Sequence, residues 1–158
     1  ILYGTAPSGG GSGGGVVYRI TPPPLIEDWK LARLGNADAA DLDDPDGDGS
    51  ANLLEYGLLG DPASPDNLLI PSAFVDEDRL AIQIPRDPQR GDITISVEVS
   101  ENLVSWSPLA TSSGGAPFSG PGYDSGDDTD PGLKSVLIRD VQILSTSPRR
   151  FLRIRVSR

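Results

Sequence analysis

The sequence predicts a mainly β protein in which a short two-helix segment precedes a C-terminal antiparallel β-sandwich. From about Phe74 onward, apolar and polar residues alternate with a period of two, as in strands that have one buried face. No helical pattern separates these strands, so they are expected to pair antiparallel. The predicted boundaries are 1–24 for a hairpin and spacer, 25–66 for the helical segment and 67–158 for the sandwich.

The first segment is expected to form a β-hairpin that is followed by a proline spacer. The β-prone runs ILYGT and VVYRIT flank the stretch GGGSGGG at 9–15. By itself this stretch is similar to an engineered flexible linker, but its two β-prone flanks favour a hairpin connection. The run of prolines at 22–24 then ends the second strand and stiffens the chain.

The hairpin segment resembles one unit of the choice-of-anchor tandem repeat GloVer family, in which LYGTT, a GG turn and GTVFKLTP recur. Residues 2–5 match the first phrase, while Gly15 and residues 17–22 match or conservatively replace the last. The resemblance implies a bacterial surface protein whose upstream repeats would pack against this unit. Because the chain opens mid-pattern at Ile1 without an export signal, we expect it to be the C-terminal part of a longer protein.

Two helices are predicted in the second segment. The first covers roughly 25–34, in LIEDWKLARLG, whose apolar residues recur at helical spacing before a glycine. The second covers roughly 50–59, in SANLLEYGLLG, and ends before Gly60 and Pro62. A polar run, NADAADLDD, connects the two helices.

Where the second helix begins, the stretch DPDGDGSANLLE fits the loop pattern D-x-[DN]-x-[DN]-G-x5-E of EF-hand calcium sites. Calcium takes about six to eight hard oxygen ligands, and alternate aspartates on a tightly curved backbone direct their carboxylates inward. Gly49 stands where the loop turns sharply and a Cβ would obstruct it. The predicted Ca²⁺ ligands are Asp44, Asp46, Asp48, Ser50, Asn52 and Glu55.

The last three predicted ligands have different roles. Ser50 would offer its backbone carbonyl, Asn52 would bind directly or through water, and Glu55 would close the site with both carboxylate oxygens. Asp41 and Asp43 lie close enough in sequence to add a ligand, although spacing alone does not place them. The alternative is an acidic turn that complements the dipole of a helix N-terminus. The mutual repulsion of four aspartates within residues 43–48 favours a bound cation over that alternative.

Residues 40–62 also resemble a linker of large bacterial surface proteins that often reads DPDGDGLSNLLEYALGTDP. In a full EF-hand the entering helix runs straight into the loop, whereas here NADAADLD intervenes after Gly35. The single site is therefore similar to dockerin or thrombospondin type 3 loops. The resemblance implies a structural calcium clip, and a single site is expected to bind with a Kd on the order of 10⁻⁵ to 10⁻³ M, which suits extracellular calcium.

Four strands are predicted in the third segment from RLAIQIP, ITISVEVS, LKSVLIRDVQI and RFLRIRVS. The stretch 112–132 is expected to be a long loop whose acidic cluster is solvated. This cluster comprises Asp124, Asp127, Asp128 and Asp130. The phrases VEVSENLVSWSPLA and FLRIRVSR resemble C-terminal sandwich domains of the same bacterial proteins, and that resemblance brings no catalytic residues.

The composition restricts the possible partners. The net charge of −10 opposes binding to nucleic acid or to anionic membranes and favours divalent cations. Cysteine and histidine are absent, which excludes thiolate and imidazole metal sites and the nucleophilic chemistry that uses these side chains. No apolar run in the sequence approaches transmembrane length.

The leading interpretation is a non-enzymatic extracellular or cell-surface module in which calcium fixes the helices against the sandwich. The alternative is a calcium-stabilised carbohydrate-binding sandwich, which needs exposed aromatic rings. Trp106, Phe118 and Tyr123 are the candidates for those rings. The C-terminal arginines suit an extracellular polysaccharide or simply protect an edge strand. A glycosidase is the weakest hypothesis, because a small sandwich offers a poor cleft for its two carboxylates.

Overall fold

The computed structural model describes residues 2–9, 11, 13–20, 25–65, 71–127, 132–147 and 149–158. Within these ranges the protein is mainly β, with antiparallel sheets and two short helices, which confirms the predicted class at this level. The helices are α1 (Ile26–Leu34) and α2 (Asn52–Leu58). The strands are β1 (Leu2–Ala6), β2 (Val16–Ile20), β3 (Ala73–Asp76), β4 (Arg79–Arg86), β5 (Thr94–Ser100), β6 (Ser107–Ser113), β7 (Tyr123–Ser125), β8 (Lys134–Ile143) and β9 (Phe151–Ser157).

The strands form one hairpin and two larger sheets. β1 and β2 pair antiparallel as predicted. One larger sheet has the order β3-β4-β8-β7, and the other has the order β6-β5-β9 with β5 at its centre. Neither described helix has the length or the apolarity needed to cross a membrane.

Three strands, β3, β6 and β7, were not predicted from the sequence. β6 extends into the stretch 112–132, and β7 lies within it, so the prediction of one continuous loop is wrong. β6 reads SPLATSS, which carries a proline and lacks a clean alternation of apolar residues. β7 has three residues, too few to show any period.

Both larger sheets and both helices contribute to one hydrophobic core. The alternating apolar residues of β4, β5 and β8 are buried in it, as the period of two requires. From the helices, Ile26, Trp29 and Tyr56 are buried in the same cluster. The rings of Trp29 and Tyr56 meet edge to face with centroids 5.4 Å apart. The loop that carries Asp44, Asp46 and Asp48, called the acidic loop below, is thereby attached through the helices to the main core.

Helix α2 packs closely against β9 at Gly57. A Cβ at this position would lie 2.7 Å from Cγ2 of Val156 and 3.0 Å from its Cγ1. We expect Gly57→Ala to destabilise the protein by about 1–2 kcal/mol, because the stiff valine cannot move aside and the better helix propensity of alanine offsets only part of the strain.

In a Val156→Ala background, Gly57→Ala should instead stabilise the protein, because the obstructing methyl groups are gone and the propensity gain remains. Denaturant unfolding of the wild type, the two single variants and the double variant measures the sign of the stability change in each background. A stabilising Gly57→Ala in the wild-type background would contradict the close contact between α2 and β9.

Candidate metal centre

Backbone hydrogen bonds close the base of the acidic loop. The N–H of Asn52 donates to the carbonyl of Asp43 at 2.9 Å, and the N–H of Leu53 donates to the carbonyl of Asp41 at 2.9 Å. Both donors belong to the first turn of α2, where a helix leaves its amide groups without intrahelical partners. The chain before the loop therefore caps the helix that follows it.

Three predicted ligands lie together within this loop. Asp44, Asp46 and Asp48 each offer a carboxylate oxygen, and these oxygens lie within 4.8 Å of one another. Calcium–oxygen distances of about 2.3–2.6 Å allow two ligands of one ion to be up to about 5 Å apart. One calcium ion could therefore contact all three carboxylates.

The backbone of the loop holds these side chains in place. Asp44 accepts hydrogen bonds from the N–H groups of Gly47 and Gly49, both at 2.9 Å and one on each carboxylate oxygen. Asp46 and Asp48 each accept through Oδ1 from the N–H two residues further on, at 3.1 and 2.7 Å. The two glycines have φ values of 77° and 95°, which suit residues without a Cβ.

Two oxygens of predicted ligands are buried and have no hydrogen-bond partner within the described ranges. They are Oδ2 of Asp46 and Oδ1 of Asn52. The Asn52 side chain is fixed because its Nδ2 donates to the carbonyl of Ala40 at 2.7 Å. A buried acceptor that has lost its water is costly unless another partner is supplied. The oxygen-only donor set suits calcium, so these residues fit that ion.

The surroundings of Asp46 disfavour its charged form. Loss of hydration raises the pKa of this carboxyl, the hydrogen bond from the Asp48 amide lowers it, and the neighbouring acidic side chains raise it again. The net shift of the Asp46 pKa is upward. A cation beside the cluster would favour ionised Asp46, because an opposite charge stabilises a carboxylate.

The remaining predicted ligands are Ser50 and Glu55, which are both buried. Glu55 is not among the carboxylates that approach one another within 4.8 Å in the described part of the chain. Its Cβ lies close to Gly60, where an added Cβ would be 2.9 Å away, and its carbonyl accepts from the N–H of Gly60 at 2.8 Å. The structure thus brings three of the four predicted carboxylates together and buries the fourth in α2.

Cationic side chains anchor the segment that leads into the loop. Lys30 of α1 is buried, and its ammonium group donates to the carbonyl of Ala39 at 2.7 Å and to Asp41. Arg158 contacts Asp41 at 3.5 Å and also pairs with Glu27. Burial raises the pKa of Asp41, but Lys30 and Arg158 outweigh that effect, so the net pKa is lowered. Asp41 is therefore engaged by two cations of the chain itself.

Asp92 joins both helices to the residues that precede β5. Its Oδ2 accepts from the N–H of Ile26 at 2.9 Å, and its Oδ1 accepts from the hydroxyl of Tyr56 at 2.9 Å. The guanidinium of Arg90 lies 4.5 Å from the centroid of the Tyr56 ring. Burial and the bond to Asp92 raise the pKa of Tyr56 well above its ordinary value. Sequence reasoning did not single out any of these three polar residues.

Asp127 is buried, so the prediction of a solvated acidic cluster is wrong for this residue. Its Oδ2 accepts from the N–H of Phe118 at 2.6 Å. Its Oδ1 lies 3.1 Å from Nε of Arg86, an ionic contact whose angle is not that of a hydrogen bond. Asp124, by contrast, is exposed and pairs with Arg139. Asp128 and Asp130 lie outside the described residues.

The three candidate rings for a sugar platform do not share an exposed surface. Phe118 is 3% exposed and belongs to the core. Tyr123 is half-buried and packs against the core. Trp106 is half-buried, and the guanidinium of Arg153 lies 4.2 Å from its ring centroid. The burial of Phe118 counts against a platform built from these rings.

Comparison with known proteins adds no relative from which a site could be transferred. The chain matches no protein-family model, and comparisons with curated proteins and with solved structures likewise gave no match.

Proposed function

We propose that this chain is a non-enzymatic calcium-binding structural module of a larger secreted or cell-surface protein. The observation that carries the proposal is the convergence of Asp44, Asp46 and Asp48, together with two buried oxygens that have no hydrogen-bond partner in the described ranges. All of these donors are hard oxygens, which calcium prefers and which softer transition metals do not select.

The remaining ligands would come from Ser50 and from the helix α2 that follows it. The Ser50 carbonyl, the Asn52 amide oxygen and the Glu55 carboxylate would complete the shell of Ca²⁺, and the bound ion would neutralise the clustered negative charge. Ser50 and Glu55 are buried, and the amide of Asn52 is already oriented by Ala40. These residues would join the loop to the helix that packs on β9.

We also infer that the two larger sheets form a β-sandwich on which the calcium-binding segment is fixed. The sheets share one core, and Asp92 ties both helices to it by hydrogen bonds. The resemblance of residues 40–62 to linkers of bacterial surface proteins supports an extracellular location, where calcium is abundant. Exposed Tyr3 and Val17 on the hairpin support packing against upstream repeats of the same protein.

Calcium titration of the metal-free protein by calorimetry tests the proposal. We expect one binding site and a higher Tm in calcium, since a ligand that binds only the folded state stabilises it by about 2.7 kcal/mol at a hundredfold excess over Kd. In Asp46→Asn the heat of binding and the Tm increase should both disappear. This substitution keeps the Oδ1 acceptor for the Asp48 amide and changes the buried Oδ2.

The matched control is Asp38→Asn, which makes the same change of charge at an exposed position of the preceding segment. It should retain both the heat of binding and the Tm increase. Equal loss in both variants would show that calcium responds only to the net negative charge. The absence of any calcium response in the wild-type protein would refute the proposal.

A further inference from the structure

The outer face of the β6-β5-β9 sheet is an ordered array of short hydroxyl side chains beside an arginine. Cross-strand pairing places the residues in rows that run from β6 through β5 to β9. One row is Ser113, Thr94 and Ser157, and the next is Thr111, Ser96 and Arg155. Neighbours within a row lie about 4.8 Å apart and successive rows about 7 Å apart. We call these six residues the hydroxyl face.

The hydroxyl groups of this face are already partly paired. Thr94 and Ser113 are linked by a hydrogen bond of 2.8 Å, and Ser96 and Thr111 by one of 3.1 Å. A hydroxyl group has one donor and two acceptor positions, so each member of a pair retains hydrogen-bonding capacity. The face can therefore exchange hydrogen bonds with another polyhydroxyl surface that lies flat on it.

Arg155 is the cationic residue of the hydroxyl face, and it is available to bind an anion. It is exposed, and no acidic side chain of the described ranges pairs with it. The next arginine along β9, Arg153, is held differently, because it pairs with Glu98 at 2.5 Å and lies over the ring of Trp106. In a chain with a net charge of −10, an arginine beside a row of hydroxyls that pairs with no carboxylate of the described residues is a specific feature.

We infer that the hydroxyl face binds an acidic polysaccharide, with Arg155 receiving a carboxylate of a uronic acid. A guanidinium presents several N–H donors in a planar fork that matches a carboxylate, and such charge-assisted bonds are stronger than neutral ones. Sugar hydroxyls would exchange hydrogen bonds with the serine and threonine side chains. The occupant is argued from charge complementarity at Arg155 itself, because a neutral glycan would leave this guanidinium without an anion. Nucleic acid carries a charge on every nucleotide, so the net charge of −10 repels it more strongly than a polysaccharide with one carboxylate per disaccharide.

This inference goes beyond the calcium proposal and does not depend on it. The test is direct binding of the full chain to hyaluronan hexasaccharide, in which uronic acid and N-acetylglucosamine alternate. Chitohexaose, a neutral N-acetylglucosamine hexamer, is the matched probe without carboxylates. We expect binding of the first probe and at least about tenfold weaker binding of the second. Running both titrations with calcium and with a chelator separates this site from the metal centre.

Two variants make the test specific to the hydroxyl face. Arg155→Gln should weaken hyaluronan binding about tenfold, since it removes one charge-assisted contact. Arg33→Gln removes the same charge from the exposed side of α1 and should leave the affinity unchanged. Equal loss in both variants, hyaluronan binding that is insensitive to Arg155→Gln, or no binding of hyaluronan would overturn the inference.

Discussion

Asp127→Asn should lower the free energy of unfolding by about 3–5 kcal/mol, because it leaves the buried guanidinium of Arg86 without its counter-ion. Arg86 is 2% exposed, and the side chain of Asp127 is fully buried. The other contacts of Arg86 are neutral acceptors, namely the carbonyls of Gly115 and Ala116 at 2.9 and 2.7 Å and the hydroxyl of Ser112. Asparagine can still accept the hydrogen bond from the Phe118 amide. The loss of stability therefore measures the effect of removing the negative charge alone.

Denaturant unfolding in calcium-saturated buffer measures this loss. The matched control is Asp124→Asn in the same stretch, which removes a carboxylate from the exposed pair with Arg139. Arg139 keeps contacts with Asp76 and Glu77, so the control should lose far less stability. If the two variants unfolded at the same denaturant concentration, the buried ion pair would contribute no more to stability than the exposed pair does.

Asp92→Ala should destabilise the protein by about 3–5 kcal/mol, because it removes two hydrogen bonds to one carboxylate. The N–H of Ile26 would lose its partner at the start of α1, and the hydroxyl of Tyr56 would lose its acceptor beside α2. Asp87→Ala is a control in the same connection, since Asp87 only caps its own turn and pairs with Arg90 three residues on. It should lose clearly less stability than Asp92→Ala, because its ion pair with Arg90 is long, at 3.8 Å, and it accepts no hydrogen bond from either helix.

A double-mutant cycle of Tyr56→Phe with Asp92→Asn isolates the contact between α2 and this carboxylate. We expect a coupling energy of about 1–2 kcal/mol, and the Tm increase in calcium should persist in each single variant because neither residue is a predicted ligand. Additive losses in the cycle would show that Tyr56 and Asp92 do not share a hydrogen bond. Loss of the calcium response in Tyr56→Phe would show that the core contact also shapes the loop.

The elements that the sequence predicted best are those whose burial is periodic. The strands β4, β5 and β8 bury alternate residues and β9 half-buries them, and the pattern is visible because one face of each lies on the core. β6 buries Ser112 together with Leu109 and Ala110, so hydrophobicity alone does not show its face. β7 depends on pairing with β8, a contact between residues that are distant in sequence.

For the polar residues too, contacts that are local in sequence could be predicted and contacts that are distant in sequence could not. The grouping of Asp44, Asp46 and Asp48 follows from spacing within one loop, so the sequence predicted it. The partner of Arg86 lies in another part of the chain and has no local signature. One signal was nevertheless present, because Arg86 continues the inward positions of Ile82 and Ile84 along β4. An arginine at such a position requires a buried acid, which could have been sought among the aspartates of 112–132.

The contacts of β9 also set an order for events during translation. Arg158 is separated by 131 and 117 residues from its partners Glu27 and Asp41, and Val156 packs on Gly57. The helical segment therefore leaves the ribosome long before the strand that covers its second helix. Until that strand emerges, α2 lacks its neighbour, β5 has one open edge, and the nascent chain exposes apolar surface. Native docking of α2 on β9 must thus follow the synthesis of most of the β core.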